Sequence, residues 1–452
     1  MTAAEATDIL RTKEMGHGTA GGIDAVVNHH LYYQQDLRVP MTSLSLVFHG
    51  GGIQQEAEAK AGLARMTAKM LFRGTAAMSR EEISKKFELL GADVNAAVSE
   101  TDFAVNISCF TKNLDEVLVL VHTVMNEVSF PNDELDLVKK QELNQMEAAL
   151  QEPERVLNAG NQYVLFNGTR LGKIGSRKGV NAVARNDVVN FFSAVCGTRV
   201  LYFTCISDLP QEEISGKLSA FTRNRQTDGF ALKPEAPFRE SHGLEAYIVD
   251  SRDATNDRFI WTQRGISAND DRRFDLQLVV DALGSFEGLL FDVLRNKNGW
   301  CYGAYGFIMQ PTIRHGRIGF YSDPAATSSE KLIPAMKQLI HDFPEDKEFQ
   351  ERLSHRNAAF KNRYAYQLDL KYKLSSEVNR DRYGVPILDQ ESYYKRIDAV
   401  NLQTAKKTIS EVFDPENMTM VFYGDARRIT SILKNMDPNA KITLMNKDIL
   451  VE

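Results

Sequence analysis

The chain has 452 residues, too many for one ordinary core, which predicts about two domains of roughly 200 residues each. Hydrophobic residues make up 43% and charged residues 25%, the balance of a soluble globular protein. With 54 basic against 60 acidic residues the net charge is -6, and no Lys/Arg block is dense enough to track phosphates, which argues against nucleic acid as a partner.

The opening "MTAAEATDILRTKEMGHG" scatters charges where a signal peptide needs an apolar core, and no later run reaches eighteen apolar residues. No membrane insertion is expected. The chain reads as cytoplasmic as written, or periplasmic if a leader was removed. "GHGTAGG" lacks the Lys-Ser/Thr ending of a phosphate loop. His29 and His30 are adjacent in a strand-like stretch, so they point to opposite faces and cannot chelate together. Cys109, Cys196, Cys205 and Cys301 form no C-x-x-C pair and read as buried free thiols.

Alternating "SLSLVFHGG" predicts a strand, followed by a helix over about 58 to 73 and by two strands in "DVNAAVSETDFAVNISCF". Helices are expected at "LDEVLVLVHTVMNEV", at "PNDELDLVKKQELNQMEAAL" after a Phe-Pro start, and near "NDVVNFFSAV"; "RVLYFTCIS" closes the set as a strand. Residues 222–243 collect Pro, Gly and charge without apolar periodicity, as a linker does. The order then repeats: strand "DRFIWTQRG", helix "RRFDLQLVVDALGSFEGLLFDVLR", strands "GWCYGAYGFIMQ" and "GRIGFYSDP", helix "EKLIPAMKQLIHDF", a second Phe-Pro before "EDKEFQERLSHRNAAFKNRY", and strand "MTMVFYGD". Pro131 and Pro344 mark matching helix starts, where a missing N–H costs nothing. The expected fold is α+β: two homologous halves, each a mostly antiparallel sheet flanked by helices, with residues 1–226 and 244–452 as the halves and 227–243 as the linker.

A strand, then "GLARMTAKMLFRGT", then "LLGADVNAAVSETDF", in a chain built of two similar halves, resembles the pitrilysin, insulinase and mitochondrial processing peptidase group of zinc peptidases, the inverzincins. In active members the helix carries H-x-x-E-H: two imidazoles on one face reach a zinc and the Glu takes a proton from its water. Here those positions read Arg65, Met66, Thr67, Ala68 and Lys69, and the third ligand position, a downstream Glu in the family, falls by spacing on Gln145, with Glu142 and Glu147 close by. Two cations repel a divalent ion, and a methyl group at Ala68 activates no water, so no metal or other cofactor is expected in this chain. The plain alternative is that Arg65 and Lys69 belong to the solvated face of an amphipathic helix.

The resemblance also implies a role for Arg295 and Tyr302 in "LRNKNGWCYGAYG". A similar Arg and Tyr in the family reach a zinc site carried by another part of the assembly, where a guanidinium and a phenol stabilise the oxyanion of peptide attack. On their own, an Arg capping a helix and a Tyr at a core edge explain the same residues, and Tyr305 competes for the role. The strand ending Phe48, His49, Gly50, Gly51 is expected at the sheet edge, pairing with extended peptide, or else as a strand that ends in a flexible turn. The resemblance therefore implies a zinc-less subunit of a heterodimeric zinc metallopeptidase, its homologous partner supplying H-x-x-E-H and the zinc and this chain supplying Arg295 and Tyr302 over peptide substrates. The alternative is a purely structural or binding homologue, like the core subunits of the respiratory cytochrome complex.

Overall fold

A computed structural model describes residues 30–166, 169, 172–198, 200–222, 238–311 and 315–452. The "GHGTAGG" motif, His29 and most of the expected linker lie outside the described residues.

The N-terminal half is a five-stranded sheet in the order β1-β5-β2-β4-β3, formed by β1 (Leu31–Gln35), β2 (Met41–His49), β3 (Asp93–Val98), β4 (Asp102–Phe110) and β5 (Val200–Ser207). Only β1 and β5 run parallel; the other neighbours are antiparallel. The second sheet is built from β6 (Glu245–Asp250), β7 (Arg258–Arg264), β8 (Cys301–Met309), β9 (Arg317–Pro324), β10 (Thr419–Gly424) and β11 (Lys441–Leu444) in the order β11-β6-β10-β7-β9-β8. Without β11 this is the first sheet's order shifted by five, and β6 and β10 form the matching parallel pair. The half-repeat is thus carried in the topology, with β11 added parallel to β6.

Helix α1 (Leu63–Met70) is shorter than the stretch expected over 58–73. Two single 3₁₀ turns precede it, and Gly62 at φ 108° turns the chain into it. The buried Glu56 carboxylate accepts from Gly62 N at 3.0 Å and Ala64 N at 2.6 Å, placing negative charge at the positive end of the helix. Leu63, Ala64, Met66, Ala68 and Met70 are buried, and each fully buried Met contributes about 1.5–3 kcal/mol. Arg65 and Lys69 are left on the opposite face.

Helices α2 (Arg80–Leu89), α3 (Leu114–Glu127), α4 (Asn132–Gln151), α5 (Pro153–Leu165) and α6 (Arg185–Thr198) are the other long helices of the half. Pro131 is the residue capping α4, one position before its first turn. In the second half, α7 (Arg273–Gly284) ends early; a break at Ser285–Gly288 precedes a short helix and a π-turn over Asp292–Lys297. Helices α8 (Ser329–Asp342), α9 (Lys347–Asn362) and α10 (Leu370–Tyr383) follow. Pro344 sits in a 3₁₀ turn, and Asp346 caps α9 through Phe349 N at 2.9 Å.

Each half has its own core, and the second half also contributes to the first. Val249, Ile260, Val421, Leu450 and Val451 join the N-terminal core, and Ile174 N donates to Leu450 O at 2.8 Å. Helix α10 lies on the other face of the first sheet, where Leu374 packs with Tyr32, Val47 and Tyr202, and the Arg382 guanidinium stands 3.8 Å over the Tyr202 ring. The four cysteines are free thiols. Among the described residues no helix is long and apolar enough to cross a membrane.

Candidate functional site

The face of α1 turned away from the core meets α4. Lys69 Nζ lies 2.5 Å from Glu142 Oε1 and donates to Gln145 Oε1 at 3.0 Å, while Arg65 Nη1 lies 3.5 Å from Glu142 Oε2. One turn on, Arg73 donates to Glu134 at 2.6 Å and to Gln141 at 3.1 Å. The structure brings Arg65, Lys69 and Gln145 together, with the Ala68 methyl buried beneath the same helix. Glu147 points elsewhere, to Arg177 at 2.7 Å.

Arg65 and Lys69 are more than a solvated face. Both converge on one carboxylate whose side chain is 2% exposed, whereas theirs are 44% and 29% exposed. A buried carboxylate needs such partners, because desolvation of an unpaired charge is costly. Glu142 is the residue that sequence reasoning named only as a neighbour. Its signal was present: it occupies the buried stripe Leu135, Val138, Glu142, Met146, Ala149 of α4, a charge at an apolar position.

These side chains do not fit a divalent cation. Arg65 and Lys69 offer only N–H donors and positive charge, Ala68 offers nothing, and the Gln145 oxygen is already taken by Lys69. Among the described residues no three His, Cys, Asp or Glu side chains gather closely enough to hold a metal ion.

The edge placement expected for Phe48, His49, Gly50 and Gly51 is corrected by the sheet order. Strand β2 is central, hydrogen-bonded to β4 along its whole length and to β5 over Ser43–His49, so its main chain has no free row to offer a peptide. Phe48, Gly50 and Gly51 are buried. The backbone that approaches the glycines is the chain's own: a Cβ on Gly52 would fall 2.5 Å from Glu100 O. His49 Nδ1 pairs with Asp102 Oδ1 across β2 and β4 at 2.7 Å, and Thr101 Oγ1 donates to the other Asp102 oxygen at 2.9 Å. The edge strands of this sheet are β1, paired with β5 alone, and β3, paired with β4 alone; of the two, β3 is packed beside α1.

Arg295 falls in the π-turn and Tyr302 on β8, the equivalent edge strand of the second sheet. Both are exposed, Tyr302 at 77%, and among the described residues neither side chain makes an ion pair or hydrogen bond. Tyr305 is engaged instead, its ring 5.1 Å from Phe286 and 5.5 Å from Phe291, and burial raises its hydroxyl above the usual phenol value.

Comparison with known proteins agrees with this architecture. Residues 32–174 match the insulinase (peptidase family M16) model, and residues 182–353 match the peptidase M16 inactive domain. The chain belongs to the M16 peptidase family. An uncharacterised zinc protease of Mycobacterium leprae is 21% identical over 266 residues, spanning 57% of this chain and 59% of that relative. Among solved structures, a peptidase M16 inactive domain from Pseudomonas fluorescens superposes with a TM-score of 0.76 at 18% identity, covering 89% of this chain and 96% of that one. The periplasmic protease PqqL of Escherichia coli gives 0.70 at 16% identity, covering 89% of this chain and 48% of that one. At these identities the likeness speaks for the fold.

Proposed function

We propose that this chain is the non-catalytic, zinc-less subunit of a heterodimeric zinc metallopeptidase. A homologous partner carries H-x-x-E-H and the zinc, and this chain completes that site with Arg295 and Tyr302. The observation that carries the reading is a contrast between two places. The ligand positions on α1 are committed to an ion pair with Glu142, while Arg295 and Tyr302 stand exposed and uncommitted within the chain. A guanidinium and a phenol in a closed site stabilise the oxyanion of peptide attack. The free edge of β3 offers an extended peptide main-chain hydrogen bonds, which suits peptides or unfolded segments as substrates.

Reconstituting the chain with its partner and comparing peptide cleavage before and after Arg295→Ala and Tyr302→Phe tests the reading. A rate loss is expected; unchanged rates remove the proposed role and favour a purely structural homologue.

A further inference from the structure

We infer that the former metal-ligand face of this chain is a carboxylate-binding site, its ligand an acidic group of an extended peptide. A zinc site is lined by acceptors; the same positions here are lined by donors. Gln145 accepts from Lys69 through Oε1 at 3.0 Å, which leaves its NH₂ group to donate, and among the described residues that group makes no hydrogen bond. Lys69 is held tightly by Glu142 at 2.5 Å. Arg65 is held loosely at 3.5 Å and its side chain is 44% exposed, so most of its five N–H groups remain available.

The charges do not cancel. Arg65 and Lys69 share Glu142, and one turn on, Arg73 shares Glu134 with Arg80, which also pairs with Glu81, so four cations face three carboxylates. A net positive charge therefore remains at the surface of a chain whose overall charge is -6. A guanidinium fork beside a neutral amide donor matches the two oxygens of a carboxylate, and charge-assisted hydrogen bonds of this kind are the strong ones. Glu142, buried below, fixes both cations on its own side and blocks approach only from beneath.

The neighbouring free edge of β3 shows which carboxylate can arrive. A peptide added to β3 runs beside α1, so a carboxyl group on that peptide comes within reach of Arg65. The two sources are the terminal α-carboxylate and an Asp or Glu side chain. The site uses this chain's residues alone and does not depend on the two-subunit reading.

The test is fluorescence anisotropy of the full chain, without any partner, against a fluorescein-labelled Ala/Ser/Val hexapeptide. Three forms are compared: free C-terminal carboxyl, C-terminal amide, and amide with one internal Asp. The free acid is expected to bind about tenfold more tightly than the plain amide. Arg65→Gln, which leaves Lys69 to pair with Glu142, is expected to erase that preference, and Glu142→Gln to raise the acid's affinity about threefold by freeing the cations. If the internal Asp restores binding, the site takes side-chain carboxylates; if it does not, the site takes the chain terminus. Equal binding of all three forms, or a preference that survives Arg65→Gln, overturns the inference.

Discussion

Lys69 Nζ and Glu142 Oε1 lie 2.5 Å apart, joining α1 to α4. Under the zinc-less reading proposed above, this ion pair stands in for the connection that a shared metal makes between the two helices, without Lewis acidity.

That replacement has a measurable cost when broken. Lys69→Ala strands a carboxylate that is almost fully buried, with only the distant Arg65 to serve it, and is expected to lower stability by about 2 kcal/mol. The figure sits below the range for fully buried pairs because the cations are partly hydrated. Replacing both partners, Lys69→Met with Glu142→Leu, should recover most of the loss in urea denaturation; losses that simply add would mean that the two residues are not coupled.

Glu56 gives a second stability test. Its carboxylate serves two backbone N–H groups at the start of α1, so Glu56→Ala is expected to cost about 1–2 kcal/mol and Glu56→Gln less. An unchanged melting temperature in both variants would show that α1 does not need this cap.

Two thiols report on the sheet. Burial pushes Cys109 up to about 11 and Cys205 up to about 12 from an ordinary 9.0. The folded chain therefore keeps these protons while the unfolded chain loses them above about pH 9, so this contribution to stability is present below that pH and declines as pH rises through the folded values. At pH 8 neither thiol should react with a disulfide reagent faster than the chain unfolds, while half-buried Cys196 reacts first. Fast modification of all four in the native state would contradict the placement of Cys109 and Cys205 in the core.

Arg295 and Tyr302 should behave oppositely to Lys69. Exposed and uncommitted within the chain, they can be changed to Ala and Phe with stability effects within about 0.5 kcal/mol. The assembled peptidase is nonetheless expected to lose on the order of a hundredfold in kcat with Arg295→Ala. A loss confined to KM would make them binding residues instead.

Much of this was legible in the sequence. Alternation in "SLSLVFH" and "DFAVNISCF" marked β2 and β4, and the repeated order of elements showed two halves. Three things were not legible. Strand order is set by pairing across the chain, so nothing local in "LVFHGG" revealed that β2 is central and that β3 is an edge. The last turn, Lys447–Val451, buries Leu450 and Val451 in the opposite half, a contact no periodicity announces. Glu142 was readable as a charge in an apolar stripe, yet its partners lay some seventy residues away on another helix, and only the fold could show that Arg65 and Lys69 face it.

The central claim, that this chain works as one half of a metallopeptidase whose zinc is elsewhere, is tested most directly by native mass spectrometry of the chain captured from an extract of its own organism. The account predicts a one-to-one complex with a different chain of similar size, holding one zinc that stays with the partner when the two are separated. Zinc retained on this chain, or a zinc-free monomer or homodimer with no second chain, would contradict it.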